Sequence, residues 1–141
     1  MRKLLIASML GIMSFGGPAP ASAATYLTGF ATMHLAGHGW CDVNPGAGIE
    51  FDNGFAVGVY KNSLCRTSVY IAKEFAYSFV PAITGGVLVG AVTGYRWKIT
   101  PVVLPEIVFR LTDSVKLAAL IQPITTRIMP AFVAVQLRYS F

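Results

Sequence analysis

From Thr25 to the last residue, hydrophobic and polar side chains alternate with a period of two, which predicts β-strands with two chemically different faces. The alternation is clearest in residues 132–141, where every odd position is apolar and the even positions include Gln136, Arg138 and Ser140. Turn-forming residues divide the chain into eight predicted strands, at Thr25–Leu35, Pro45–Phe51, Phe55–Tyr60, Thr67–Tyr77, Gly86–Tyr95, Val102–Leu111, Val115–Ile121 and Ala131–Phe141.

Two sharp turn signals predict which ends of the strands meet. Asn53-Gly54 supplies the positive φ angles of a tight hairpin, and residues 111–114 predict a second short turn. A turn around Pro81 belongs to the same end, although we expect it to be longer. The remaining links become four loops at the opposite end, at residues 35–44, 61–66, 96–101 and 122–130. The predicted fold class is therefore all-β, an eight-stranded antiparallel transmembrane β-barrel.

The first 23 residues differ from the rest and predict a cleaved secretory signal peptide. Arg2 and Lys3 precede a short apolar run, and the segment ends in the small residues ASA at positions 21–23. The run is too short, and too interrupted by glycine and proline, to span hydrocarbon. We therefore expect a signal peptide at 1–23 and a single outer-membrane barrel domain at 24–141.

The composition favours a membrane protein over a soluble domain. Hydrophobic residues make up 55% of the chain and charged residues 12%, whereas soluble domains average about 25% charged. The net charge is +5 and falls to +3 without Arg2 and Lys3, with no dense basic block, so we expect no nucleic-acid partner. A helical inner-membrane protein is the alternative, with residues 79–95 as its best span. That segment carries one proline and four glycines, which disfavour a helix.

Charged side chains fall on one face of the predicted strands. Hydrocarbon penalises charge, so this face is predicted to line the barrel lumen. Eight strands leave room for side chains only, which predicts a filled interior with a buried ion-pair network and no continuous pore. The predicted network has three acids and three bases: Glu50, Glu74, Glu106, Arg110, Lys116 and Arg138.

The two cysteines test this topology. Cys41 lies in the first predicted loop and Cys65 in the second, and an exported chain with an even number of cysteines favours a disulfide. A bridge that closes a loop of about 25 residues contributes roughly 3 kcal/mol to the free energy of unfolding when it is unstrained. His34, His38 and Cys41 lack the spacing and the fourth ligand of a metal site, so we expect no metal and no cofactor.

Two motifs and the final strand carry a family resemblance. Residues 44–51 read NPGAGIEF, and residues 58–70 contain GVYKNS followed by RTSVY. They resemble the NPGxGxE(Y/F) and GxYxNSxxRTSVY segments of a family of small, largely uncharacterised bacterial envelope barrels. The aromatic C-terminal strand resembles the assembly signal of outer-membrane barrels. The resemblance implies an outer-membrane location in a Gram-negative envelope and an encounter with the barrel assembly machinery, but it implies no reaction.

A second resemblance, to the outer-membrane lipid A palmitoyltransferase, concerns the loops. In that enzyme a histidine of the first outer loop acts with an Asp-Ser pair of the second. The similar positions here are His34 or His38, and Ser63, with Asn62 in place of the aspartate. This implies a lipid A-modifying acyltransferase or deacylase, in which a histidine activates the serine hydroxyl. The His-x-Ser pair of a lipid A deacylase has no clean counterpart here.

The leading function expected from the sequence is structural, or surface interaction with lipopolysaccharide, by a monomeric barrel. The lipid A-modifying enzyme and the helical protein are the alternatives. Rim cations are predicted to bind lipid phosphates, because guanidinium groups pair bidentately with phosphate. The candidates are Arg66, Arg96, Lys98 and Arg127.

Overall fold

A computed structural model describes residues 24–141 as one closed barrel of eight antiparallel strands. The predicted fold class is confirmed, while the predicted signal peptide lies outside the described residues. The strands are β1 (Thr25–His34), β2 (Val43–Glu50), β3 (Phe55–Lys61), β4 (Thr67–Val80), β5 (Ile83–Val92), β6 (Thr100–Arg110), β7 (Val115–Gln122) and β8 (Phe132–Ser140).

Each strand pairs with its neighbour in sequence, and β8 returns to pair with β1 from Thr25↔Ser140 to His34↔Phe132. The barrel therefore has two unlike ends. The turn end carries both barrel termini and the connections at 51–54, 81–82 and 111–114. The loop end carries four longer connections: the first loop (35–42), the second (62–66), the third (93–99) and the fourth (123–131).

The largest differences from the predicted boundaries, three residues each, lie at the end of β4 and at both ends of β5. The connection around Pro81 has two residues instead of a long turn, because β4 continues to Val80 and β5 begins at Ile83. At the other end of β5 the strand stops at Val92 instead of Tyr95. Gly94 adopts a φ of +84°, which turns the chain out of the extended conformation and lets Tyr95 pack inside the barrel mouth.

The outer wall of the barrel is apolar. Outward side chains of the strands are mostly aliphatic and form a continuous belt, including Val57, Val59, Val69, Ile71, Val87, Val89, Val103, Ile107, Val135 and Leu137. Aromatic side chains collect below that belt at the turn end, as membrane barrels place them at the interface. They are Phe51, Phe55, Tyr77, Phe79, Tyr139 and Phe141.

The described residues contain no helix with the length and apolar character needed to cross a membrane. The helical inner-membrane alternative is not supported, since residues 79–95 form the end of β4, a tight turn, β5 and the start of the third loop.

The lumen has an apolar zone near the loop end and a charged zone nearer the turn end. The apolar zone packs Tyr95, Leu104, Leu120, Met129 and Phe132 into one cluster across five parts of the chain. An apolar outer wall together with a half-apolar lumen accounts for the high hydrophobic content of the sequence. Two cavities of about 60 and 50 Å³ remain along the barrel axis, and each has the size of a few water molecules.

Arg138 is the centre of the charged zone. Its guanidinium lies 2.7 Å from a carboxylate oxygen of Glu106, 3.0 Å from Glu74 and 3.5 Å from Glu50. Of the three bases predicted for this network, Arg138 contacts all three acids, whereas Arg110 and Lys116 do not join it. Arg110 and Lys116 form no ion pair among residues 24–141, because they lie opposite one another at the end of the β6 and β7 ladder, where solvent reaches them.

A paired glycine position shapes the lumen above this network. Gly48 of β2 lies opposite Gly58 of β3, and Tyr70 of β4 lies across both. A Cβ on Gly58 would approach the Tyr70 ring to 2.5 Å. The two glycines therefore supply the space that a tyrosine needs to fill the narrow interior.

Candidate catalytic site at the loop end

A β-bulge in β1 directs His34 into the barrel mouth. The pairing of β1 with β2 and β8 shifts register around Gly29, after which Phe30, Thr32 and His34 all face the lumen side. A Cβ at Gly29 would overlap the main-chain oxygen of Asn44, so the bulge needs a residue without a side chain. The bulge therefore decides that the last residue of β1 points inward.

Asn62 organises the second loop. Its Oδ1 accepts hydrogen bonds from the backbone N–H groups of Leu64 and Arg66, at 2.8 and 3.1 Å. Its Nδ2 donates to Ser68 Oγ and to the Gly94 carbonyl, at 2.8 and 3.0 Å. All hydrogen-bonding atoms of this fully buried amide are thus occupied in holding the turn that presents Ser63.

The loops bring three side chains into a hydrogen-bonded relay. His34 Nε2 lies 2.8 Å from Ser63 Oγ, and His34 Nδ1 lies 2.8 Å from Asp42 Oδ1. An ionised carboxylate only accepts hydrogen bonds, so Nδ1 carries the proton that is donated to Asp42. In the neutral form of the imidazole, the Nε2 lone pair then faces the Ser63 hydroxyl, which is the orientation that a general base requires.

Aromatic packing holds the imidazole in place. The Trp40 ring stacks on His34 with centroids 5.6 Å apart, and the Phe132 ring contacts it edge-on at 6.2 Å. The His34 side chain is 4% exposed, whereas that of Asp42 is 66% exposed. Water therefore reaches the carboxylate end of the relay and is largely excluded from the imidazole.

Ser63 lies between the relay and the barrel interior. The residue is 4% exposed and borders the axial cavity of about 50 Å³, together with Phe30, Tyr60 and Phe132. On the other side of His34, the first loop encloses an open, polar depression of about 500 Å³ that includes His38, Trp40 and Asp42. The relay thus separates an apolar interior from a wet surface.

The predicted disulfide joins the two loops that carry the relay. Cys41 and Cys65 are bonded, with their Cα atoms 5.6 Å apart, and the Cys41 N–H donates to the Ser63 carbonyl at 2.9 Å. The β2–β3 ladder ends at Gly46↔Tyr60, so these two links hold the loops together beyond the sheet. The disulfide is therefore confirmed, and it lies one residue from Asp42 and two from Ser63.

Replacing both cysteines with serine is expected to loosen the loops without preventing barrel closure. The free energy of unfolding should fall by about 3 kcal/mol, because the bridge no longer restricts the unfolded chain. Urea titration of oxidised wild type, reduced wild type and the double variant measures this change. Equal midpoints for all three would show that the strand ladder alone holds the loops.

The structure brings together some of the predicted catalytic residues and separates others. His34 contacts Ser63, whereas His38 is exposed on the first loop and takes no part in the relay. The sequence showed Asn62 in place of the acid that precedes the serine in the palmitoyltransferase, and it named no other acid; in the structure the acid comes from the first loop as Asp42. Its position beside Cys41 was the available sequence signal, since a bridge to Cys65 brings its neighbours toward Ser63.

The predicted phosphate-binding cations are exposed on the second, third and fourth loops. Arg96 Nη1 donates to the Arg127 carbonyl at 3.3 Å, which connects the third and fourth loops. Among residues 24–141, no group of three His, Cys, Asp or Glu side chains is arranged to hold a metal ion.

Comparison with known proteins identifies the fold class. No protein-family model matches the chain, and no curated protein matches it significantly. A structure titled "De novo design of transmembrane beta-barrels" matches with a TM-score of 0.63 at 14% identity, covering 89% of this chain and 100% of that chain. The solution NMR structure of the designed barrel TMB2.3 gives 0.61 at 13% identity, covering 88% and 97%. The likeness shows the fold alone, which is that of a small transmembrane β-barrel.

Proposed function

We propose that this protein is an outer-membrane enzyme that cleaves or transfers acyl ester bonds of lipids at the outer leaflet. The observation that carries the proposal is the Asp42–His34–Ser63 relay, with 2.8 Å at both hydrogen bonds. A purely structural rim does not require a serine hydroxyl that is aimed at a histidine, or a carboxylate that orients this histidine. A nucleophile, a base and an orienting acid are the parts that acyl transfer requires.

The outer membrane is the proposed location for three reasons. The first 23 residues have the composition of a secretory signal peptide, and β8 alternates polar and apolar side chains, with aromatic residues at positions 139 and 141. The apolar outer wall and the aromatic side chains at the turn end fit a bilayer. With the turn end on the inner side of the membrane, the loop end faces the lipopolysaccharide leaflet. The proposed barrel is a monomer, and its assembly uses the barrel assembly machinery.

The relay supports a two-step reaction. Ser63 Oγ bonds to the ester carbonyl carbon while its proton moves to His34 Nε2, and Asp42 stabilises the resulting imidazolium through Nδ1–H. The bond from carbonyl carbon to alcohol oxygen then breaks, and His34 returns the proton to that oxygen. Water, or the hydroxyl of a second lipid, attacks the acyl group on Ser63 by the same route and restores the Ser63 hydroxyl.

Substrate entry requires movement of the loops. Ser63 is nearly fully buried, and the fourth loop places Met129 inside the barrel mouth. The loops must separate before a carbonyl carbon reaches Ser63 Oγ, as in enzymes in which a surface segment opens to admit substrate. A disulfide that keeps the first and second loops together leaves the relay assembled while the third and fourth loops move.

Mass spectrometry of lipids from Gram-negative cells that express the full chain tests this function. Wild type should change lipid A or phospholipid by the mass of one acyl chain, and Ser63→Ala should abolish the change. His38→Ala is the matched control, because it removes a histidine of the first loop that lies outside the relay, and it should retain the product. Barrel levels in the membrane are matched by a heat-dependent shift on denaturing gels.

Unchanged lipids in cells with a correctly inserted wild-type barrel would overturn the enzymatic proposal. The structural or surface-interaction role would then be the better assignment, with the filled lumen as its support and the loop-end surface as its binding face.

A further inference from the structure

The two ends of the barrel differ strongly in charge. The turn end carries three basic residues, Lys73, Arg110 and Lys116, and two acidic residues, Asp52 and Asp113. The loop end carries one acidic residue, Asp42, whose carboxylate is bound to His34. The same end carries five exposed basic residues: Lys61, Arg66, Arg96, Lys98 and Arg127.

These five basic residues, here called the basic arc, follow one another around the rim, with Lys61 at the end of β3 and the other four on the second, third and fourth loops. The second loop is joined to the third by the hydrogen bond from Asn62 Nδ2 to the Gly94 carbonyl, 3.0 Å. The third is joined to the fourth by the bond from Arg96 Nη1 to the Arg127 carbonyl, 3.3 Å. The arc begins beside the nucleophile, since Arg66 follows Ser63 by three residues in the same loop.

The third loop also carries exposed apolar side chains. Trp97 is 54% exposed and Ile99 is 66% exposed, on either side of Lys98. An aromatic ring and an aliphatic side chain beside a cation suit the boundary between headgroups and hydrocarbon, where each finds a favourable neighbour. The arc is therefore placed at the depth of lipid headgroups.

We infer that the basic arc binds the headgroup of a lipid with net negative charge, so that the substrate class is an anionic, phosphate-bearing acyl lipid. This rests on the proposed function, because it names the substrate of the Ser63 site. Three of the five cations are guanidinium groups, which pair bidentately with phosphate oxygens. A zwitterionic headgroup also places its own cation among the basic residues of the arc, so its binding free energy is less favourable.

Ester cleavage by the purified full chain in mixed micelles tests this assignment. Phosphatidylglycerol and phosphatidylcholine with identical acyl chains are the two substrates, and fatty acid release is the readout. Arg66→Gln and Arg127→Gln should each raise KM for phosphatidylglycerol about fivefold, at roughly 1 kcal/mol for each cation near an anionic surface. The value of kcat should stay within about twofold, because neither guanidinium belongs to the relay.

Arg110→Gln is the matched control, since it removes the same charge at the turn end. It should leave KM unchanged. Added salt should raise KM for phosphatidylglycerol in wild type, because ions screen exposed charges. Equal KM values for both lipids, with no effect of Arg66→Gln or Arg127→Gln, would overturn the anionic assignment and leave the proposed enzyme intact.

A binding measurement separates this inference from the proposed function when no ester is cleaved. Dihexanoyl-phosphatidylglycerol, titrated into the wild-type barrel in neutral micelles, should shift the NMR amide signals of loop residues 62–66, 93–99 and 123–131. Dihexanoyl-phosphatidylcholine should shift them less. Equal shifts with both lipids, or equally large shifts with inorganic phosphate, would overturn the assignment to an anionic lipid.

Discussion

Replacing Arg138 with methionine is expected to destabilise the barrel by about 3–5 kcal/mol, because it leaves buried carboxylates without their cation. The Arg138 side chain is 4% exposed and lies within 3.5 Å of carboxylate oxygens of Glu50, Glu74 and Glu106. Without the guanidinium, three negative groups face one another in the lumen. Urea unfolding in phospholipid vesicles, followed by tryptophan fluorescence, gives the free energy of unfolding.

Lys116→Met is the matched control for this change. It also removes one positive charge from the lumen side, but Lys116 forms no ion pair within the described chain, so its effect should stay within about 0.5 kcal/mol. Arg138→Met combined with Glu74→Gln and Glu106→Gln should recover much of the lost stability, because the carboxylates are removed with the cation. An Arg138→Met barrel as stable as wild type would show that the charged zone does not hold the lumen together.

Ser63→Ala and His34→Ala are each expected to lower kcat/KM for ester cleavage by about 10³-fold. The reason is that hydroxyl and imidazole act as one unit across a 2.8 Å hydrogen bond. The double variant should therefore lose no more activity than either single variant. Hydrolysis of a p-nitrophenyl acyl ester in detergent micelles measures all three rates on folded barrels.

Asp42→Asn should lower the rate less, on the order of tenfold, because water screens an exposed carboxylate. His38→Ala should leave the rate unchanged. If the effects of Ser63→Ala and His34→Ala instead multiply in the double variant, the two side chains act independently and the relay is not a catalytic unit. A Ser63→Ala enzyme within about twofold of wild type would exclude Ser63 as the nucleophile.

Most of the wall was predictable because strand alternation is local. Whether Val57 and Val59 face outward follows from their spacing alone, and the Asn53-Gly54 turn pairs β2 with β3 in a register that keeps those faces aligned. The turn at Pro81–Ala82 was predicted too long, although the outward aromatic series of Phe75, Tyr77 and Phe79 continues to the end of β4.

The site was predictable only in part. His34 and Ser63 drew attention as a histidine and a serine in neighbouring loops, but alternation says nothing about which loop residues touch. Asp42 was missed because its partner is determined by the bulge at Gly29 and by the bridge to Cys65, two features that act across the barrel. Asn62 was compared with a catalytic acid, whereas its four hydrogen bonds make it the support of the turn.

The sequence by itself determined the class of fold, the two faces of the strands other than β1, and the pairing of loops that Cys41 and Cys65 suggested. These properties depend on neighbours two residues apart or on a single covalent bond. Only the tertiary structure decided that one arginine, Arg138, serves three acids while Arg110 and Lys116 stay outside, and that Asp42 completes the relay. Closing the barrel fixes, for every residue, both its height along the barrel axis and its angular position around that axis. These two coordinates together decide which inward side chains come within hydrogen-bonding distance.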